Sequence, residues 1–301
     1  MMGSLRGALS GNAWLLLTLT SLSWGGNVVA GRLAVGEISP MVLICLRWAL
    51  VSAGLLLLRR DRIVEDLESL RPYKLHLFWL GAFGITLPNA LFYEAARFTT
   101  GVNVAIIQGV QPVLVLIGAF LVFRTRIGLV RLFGAAITIV GVMLIGARGD
   151  LGSVAALSFN AGDLLAFLGA VAATGYALAL RNRPPVSSMA LFVGVAIGAF
   201  LSSLPMLAIE TALGETIWPG PKGLLILLYV AVFTSMVGHI TYMRALALIG
   251  AQRVTLILNL IPVVGALLSV LILGETFALY HATALALVLI GIWMSERLGG
   301  R

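Results

Sequence analysis

The chain has 301 residues, 60% of them hydrophobic and only 11% charged, and its mean hydropathy is +1.06. A soluble domain is about 45–50% apolar and about 25% charged, so a water-soluble core of this length is excluded and lipid is the expected solvent and partner. The net charge of +8 rests on basic residues at the ends of apolar runs, which marks membrane orientation rather than a nucleic-acid surface, and no nucleic-acid partner is expected.

Crossing a hydrocarbon core about 30 Å thick takes roughly 20 apolar helical residues. Ten such runs follow one another: 12–35, 40–58, 76–97, 102–123, 127–147, 161–180, 187–209, 222–246, 252–273 and 281–297. Breakers separate them at Ser39-Pro40, Arg71-Pro72, Pro184-Pro185 and Trp218-Pro219-Gly220-Pro221. Lipid cannot hydrogen-bond a free backbone group, so continuous runs of this length read as helices; a barrel would show shorter alternating segments. The first run is too long for a cleaved leader and is read as retained. The single cysteine, Cys45, lies inside the second run and has no intrachain partner for a disulfide.

With the amino terminus placed inside, 15 basic residues fall on the cytoplasmic side and only Arg32, Arg97, Arg148 and Lys222 on the other, with Arg47 inside a span. That asymmetry follows the positive-inside rule and puts both termini in the cytoplasm.

The halves resemble each other at an offset near 150 residues. Gln111-Pro112-Val113 aligns with Ile261-Pro262-Val263, Gly141 with Gly291, Tyr93-Glu94-Ala95-Ala96 with Tyr242-Met243-Arg244-Ala245 after a one-residue slip, and Gly11-Asn12 with Gly162-Asp163. Five spans per half is an odd number, so the second half enters the membrane from the opposite side. The expected fold is an all-α integral membrane protein of ten transmembrane helices, built as two inverted five-helix repeats, 1–150 and 151–301, with a hinge in the Gly/Ser/Ala-rich stretch 148–160. Inverted repeats recur in transporters that work by alternating access to a midplane site.

Several stretches resemble a known family. Leu22-Ser23-Trp24-Gly25-Gly26-Asn27, Pro40 followed by Arg47-Trp48, Gly162-Asp163-Leu164-Leu165, and Pro262 followed by Leu273-Gly274-Glu275-Thr276 are similar, in order and spacing, to the motifs of the EamA-type drug/metabolite transporter superfamily. Phe123-Arg124-Thr125 departs from it, standing where the family often carries an acid. The overall look is similar to YddG-type exporters of aromatic and other neutral amino acids. The resemblance implies the ten-helix inverted-repeat fold, a bacterial cytoplasmic membrane, and export of amino acids or related metabolites.

Polar side chains inside apolar helices are costly unless they face a cavity or a partner. At helical spacing the spans carry Trp24 and Asn27; Asn89 and Tyr93; Gln108 and Gln111; and Ser235, His239 and Tyr242; the sixth span adds Thr174 and Tyr176, and the ninth Asn259, three before Pro262. Trp24, Asn27, Asn89, Tyr93, Gln108, Gln111, Tyr176, His239, Tyr242 and Asn259 are the candidate cavity residues. The amides either line the site or bond helix to helix. The aromatics either stack on substrate or pack, and His239 either moves protons or sits neutral and hydrogen-bonded. Arg47 either attracts a carboxylate or serves structure. Pro88, Pro112, Pro205 and Pro262 each free a backbone carbonyl one turn earlier. Glu94 and Arg97 suit a local ion pair. Gly134, Gly141, Gly146 and Gly291 permit close helix contact, leaving a homodimer open.

The two lysines, Lys74 and Lys222, follow no glycine-rich loop, and HExxH, GxSxG and CxxC are missing. Neither a cofactor nor a metal is expected. The leading expectation is a secondary transporter of a small, mostly neutral metabolite, since a phosphate site would want several in-span cations. The alternative from another class is a membrane enzyme acting on a lipid-linked substrate, with 59–75 as its only candidate face.

Overall fold

The computed structural model describes residues 12–58, 60–124, 128–146, 160–250, 254 and 260–295. Within them the chain forms ten helical rods, short 3-10 and π turns included. These are α1 Ala13–Ala34, α2 Pro40–Leu58, α3 Glu65–Ala95, α4 Gly101–Phe123, α5 Leu129–Ile145, α6 Ala161–Asn182, α7 Ser188–Ala212, α8 Pro221–Ile249, α9 Ile261–Leu273 and α10 Leu279–Trp293. Seven are long and apolar enough to cross a bilayer, while α5, α9 and α10 are shorter apolar helices. The described part of α9 starts at Ile261, with Pro262 in its first turn, where a proline ring is tolerated.

Side-chain caps set several of the starts. Asn12 Oδ1 accepts from the backbone N–H of Trp14 and Leu15, Thr100 from Asn103, Asn160 from Asp163 and Ser187 from Ala190. Each satisfies donors that a helix start leaves free. Asn12 and Asn160 thus play the same role at the heads of the two halves. The stretch after α2, the candidate face of the enzyme alternative, is helical over Ile63–Leu70. Its Asp66 and Leu70 share a buried face one turn apart, and Leu70 joins the core beside Leu77.

Packing between the first five rods and the last five obeys an exchange rule. Helix α1 packs on α8 and α9, and its equivalent α6 packs on α3 and α4. Helix α2 packs on α7 and α8, and α7 in turn packs on α2 and α3; α4 meets α9, and α5 meets α10. Exchanging each helix for its equivalent five places along maps this set of pairs onto itself, as a two-fold relation between halves requires. The glycines sit where rods touch most closely. A Cβ on Gly291 would fall 2.4 Å from the Gly134 carbonyl oxygen, and one on Gly134 would fall 2.6 Å from that of Gly291. Gly134, Gly141 and Gly291 therefore serve the internal α5–α10 contact.

Both halves also break their third helix at the same level. A π turn occupies Ala82–Thr86 in α3, directly ahead of Pro88, and another occupies Val230–Val237 in α8. A π turn adds a residue to the helical repeat and re-aims the side chains around it. Helix α4 breaks too: Gly109 and Val110 bond back only three residues, to Ile106 and Ile107, just before Pro112. These interruptions surround the centre of the bundle.

Candidate substrate site

Arg47 stands two turns into α2, whose amino end is held by Glu210: Ser39 Oγ donates to its Oε2 at 2.6 Å and the Met41 N–H to its Oε1 at 3.1 Å. The side chain does not snorkel; the residue is 3% exposed. Its Nε donates to Ser235 Oγ at 2.7 Å. Its Nη1 donates to Tyr93 OH at 2.5 Å and, at 3.3 Å each, to Asn27 Oδ1 and Asn89 Oδ1. Two N–H bonds serve three acceptors there, so one is shared.

Each partner is fixed by a further bond. Tyr93 OH donates to Asn27 Oδ1 at 2.9 Å, Asn89 Nδ2 to the Ile85 carbonyl at 2.7 Å, and Ser235 Oγ to the Val230 carbonyl at 2.9 Å, five residues back along the π turn. The π turn of α8 therefore presents Ser235 to Arg47, and the interrupted α3 presents Asn89 and Tyr93. Four helices, three from the first half and one from the second, meet at one guanidinium.

On one side of this layer lies a cavity of about 560 Å³. Trp24, Asn27, Arg47, Trp48, Pro88, Asn89 and Phe92 line it from α1, α2 and α3. Gln108, Gln111, Pro112 and Val115 contribute from α4, and Thr234, His239, Ile261 and Pro262 from α8 and α9. Val115, Ala177 and Ile292 carry the lining toward the ends of α4, α6 and α10 that hold Arg124 and Arg181. On the other side a smaller hollow, about 280 Å³, is lined by Tyr93, Leu43, Ser39, Arg97 and Glu215. The Arg47–Tyr93 bond is the partition between them.

Six of the ten candidates from sequence, Trp24, Asn27, Asn89, Gln108, Gln111 and His239, line the large cavity. Tyr93 sits in the partition. Tyr176 packs on α3 at Gly84, where a Cβ would fall 2.1 Å from the Tyr176 ring. Tyr242 lies 5.5 Å from Trp24, ring to ring, with Leu16 and Leu17 behind it. Asn259 lies outside the described residues, as do most of 148–160. His239 stacks on Phe192 at 4.8 Å and meets the Trp24 edge at 5.3 Å, while Trp24 Nε1 donates to the Thr234 carbonyl. Sequence reasoning did not select Trp48, Phe92 or Thr234. Trp48 enters only as part of a family-like motif, and Phe92 and Thr234 are ordinary packing types whose spacing does not set them apart.

The smaller hollow belongs to an end closed by polar clamps. Glu275 accepts from the backbone N–H of Gly101 at 2.8 Å and Val102 at 2.9 Å, capping α4, and Arg32 lies 3.5 Å from it. A carboxylate at a helix amino end is favoured by the helix dipole. Asp163 accepts from Thr99 Oγ1 and Asn103 Nδ2, and Asn103 Oδ1 meets His281 Nε2 at 3.2 Å. Glu94 and Arg97 pair at 2.7 Å. Among the described residues there is no group of three or more His, Cys, Asp or Glu able to hold a metal ion.

The chain was compared with known families and proteins. The EamA-like transporter family is matched twice, over residues 11–147 and again over 160–296. The chain belongs to that family. The EamA relatives include the uncharacterized transporters YyaM and YetK of Bacillus subtilis (strain 168). YyaM is 26% identical over 93% of this chain and 92% of its own length; YetK is 26% identical over 94% and 86%. An uncharacterized transporter of Archaeoglobus fulgidus is 24% identical over 94% of this chain and 98% of its own. A crystal structure superposes with a TM-score of 0.65 at 20% identity, covering 95% of this chain and 97% of the other, which shows a shared fold. The EamA-like protein is thus a membrane transporter by family, with the two matched stretches spanning both sets of five rods.

Proposed function

We propose that this protein is a secondary transporter that carries small neutral metabolites, amino acids including aromatic ones, out of a bacterial cell. In this reading the ten rods are ten membrane spans in two inverted halves, 1–150 and 151–301, with both termini cytoplasmic in the cytoplasmic membrane. The larger cavity then faces inward and the clamped end faces outward. Transport proceeds as the halves rock and expose the centre to each side in turn.

The observation that carries the reading is the central cavity, built from both halves and walled off at one end by the Arg47 layer. Its volume, about 560 Å³, falls within the 300–1,000 Å³ or so typical of small-molecule sites. Trp24, Trp48, Phe92 and His239 give it aromatic walls, and Asn89, Gln108 and Gln111 give it amides. That mixture suits a zwitterion with an apolar side chain better than a sugar or a nucleotide.

Uptake by proteoliposomes holding only this protein tests the proposal. Labelled phenylalanine, tryptophan, leucine and threonine should exchange against trapped unlabelled amino acid without ATP. Repeating the flux with and without a pH gradient separates proton coupling from facilitated exchange. Silence toward every amino acid by protein shown to be inserted and folded would overturn the reading.

A further inference from the structure

Among the described residues, Arg47 is a buried cation with no Asp or Glu paired to it. All four of its hydrogen-bond partners, Ser235, Asn27, Asn89 and Tyr93, are neutral. The buried acids among the described residues lie elsewhere, with Glu210 capping α2, Asp163 binding Thr99 and Asn103, and Asp66 on the helical stretch after α2, while the partly buried Glu275 caps α4 beside Arg32. No Asp or Glu among the described residues lines the larger cavity. A charge held in a membrane interior for structural reasons alone is normally paired, because removing it from water costs several kcal/mol or more. Here the charge is oriented by neutral dipoles and by the Trp48 ring, 5.2 Å from its guanidinium carbon, with no described carboxylate against it, and it faces a hollow large enough for a metabolite.

The donor count points the same way. Nε and Nη1 are engaged, while Nη2 makes no hydrogen bond to any described residue. Two N–H donors of a rigid planar fork therefore remain on a side chain that lines the cavity. The amides of Gln108 and Gln111, also in that lining, make no side-chain hydrogen bonds among the described residues either. A single guanidinium balances a single negative charge. A phosphate ester, near −2 at neutral pH, would want a second cation that the described lining does not supply.

Resting on the amino-acid reading above, we propose that Arg47 is the specificity anchor of the site and binds the carboxylate of the transported molecule through Nη2. The cargo is then a monocarboxylate, zwitterionic or not. Bare amines, amino-acid amides and phosphate esters are poor ligands. When the carboxylate arrives it neutralises the layer that separates the two hollows, so the same contact couples occupancy to the partition made by Tyr93.

The test is competition against labelled phenylalanine on the intact reconstituted protein, using four compounds of one shape: 3-phenylpropanoate, phenethylamine, phenylalaninamide and phenethyl phosphate. The carboxylate should compete within about tenfold of phenylalanine itself. The other three should be weaker by roughly 10- to 100-fold, the usual worth of a charge-assisted hydrogen-bonded pair. Arg47→Lys should keep part of the affinity and the same order of preference; Arg47→Gln should lose both, with binding of the amine no longer disfavoured. Phenethylamine or the amide competing as well as the carboxylate on the wild-type protein would overturn the anchor and leave transport standing. Phenethyl phosphate outcompeting the carboxylate would overturn the carboxylate assignment. The wild-type panel decides even if the Arg47 variants fail to fold. Absence of flux for every labelled amino acid would instead remove the transport reading on which the anchor rests.

Discussion

Arg47 donates to Tyr93 OH at 2.5 Å, yet the two residues line different hollows. The bond is therefore the partition between the two spaces, and its partners explain why it holds. Asn27 accepts from both groups, so neither can swing away without breaking two contacts.

Tyr93→Phe removes the hydroxyl and keeps the ring. Arg47 then loses one acceptor and Asn27 one donor, which costs about 1–3 kcal/mol in a buried setting. Expression and thermal stability in detergent should fall only modestly. Exchange of phenylalanine in proteoliposomes should drop about tenfold, and water-soluble thiol reagents should reach a cysteine placed at Ile38, beside the smaller hollow, more readily than in the parent. Unchanged flux and unchanged labelling would remove Tyr93 from the partition.

Gln108 and Gln111 line the cavity beside the broken turn at Gly109. Gln108→Ala and Gln111→Ala should each weaken binding of amino acids several-fold while leaving melting temperature within a few degrees, since neither amide bonds to another described residue. Asn89→Ala is different, because Asn89 bonds both Arg47 and the Ile85 carbonyl, so stability and transport should fall together.

Glu275 caps α4 from the far half of the chain. Glu275→Gln keeps the shape and removes the charge, weakening both the cap and the pairing with Arg32 by about 0.5–2 kcal/mol. The clamped end should open more often. The measurement is the rate of hydrogen exchange at Gly101–Val104, which should rise in the variant; protection equal to the parent would assign the cap no role in closure.

Close packing of α5 on α10 gives a stability prediction with its own control. Gly291→Ala puts a Cβ 2.4 Å from a backbone carbonyl, so the helices must separate, at about 1–3 kcal/mol. Gly175→Ala meets nothing within 4 Å. The first should lower the melting temperature measurably and the second should not.

Much of this was legible in the residues. The apolar runs located the rods, and helical spacing brought out Asn27, Asn89, Tyr93, Gln108 and Gln111. What spacing along one helix does not show is convergence. Ser235 meets Arg47 across 188 residues, and only the packing of α2 on α8 brings them together. Choosing between the two roles open to Arg47 needed its partners, because an in-span arginine paired with an acid and one paired with amides look alike in a sequence. Tyr176 shows the converse. An aromatic residue near the cavity level can as well be the knob that fills the notch at Gly84. The cap made by Glu275 on α4 was hidden because it joins residues 174 apart.

Passage of substrate through the central cavity is tested most directly by blocking it. In a Cys45→Ala background, Ala177→Cys places a single thiol on the cavity wall. Proteoliposomes carrying this variant should accumulate labelled phenylalanine by counterflow without ATP. A bulky thiol reagent should stop that accumulation, and excess unlabelled phenylalanine should slow the reaction. Counterflow that continues undiminished after complete modification would contradict the account.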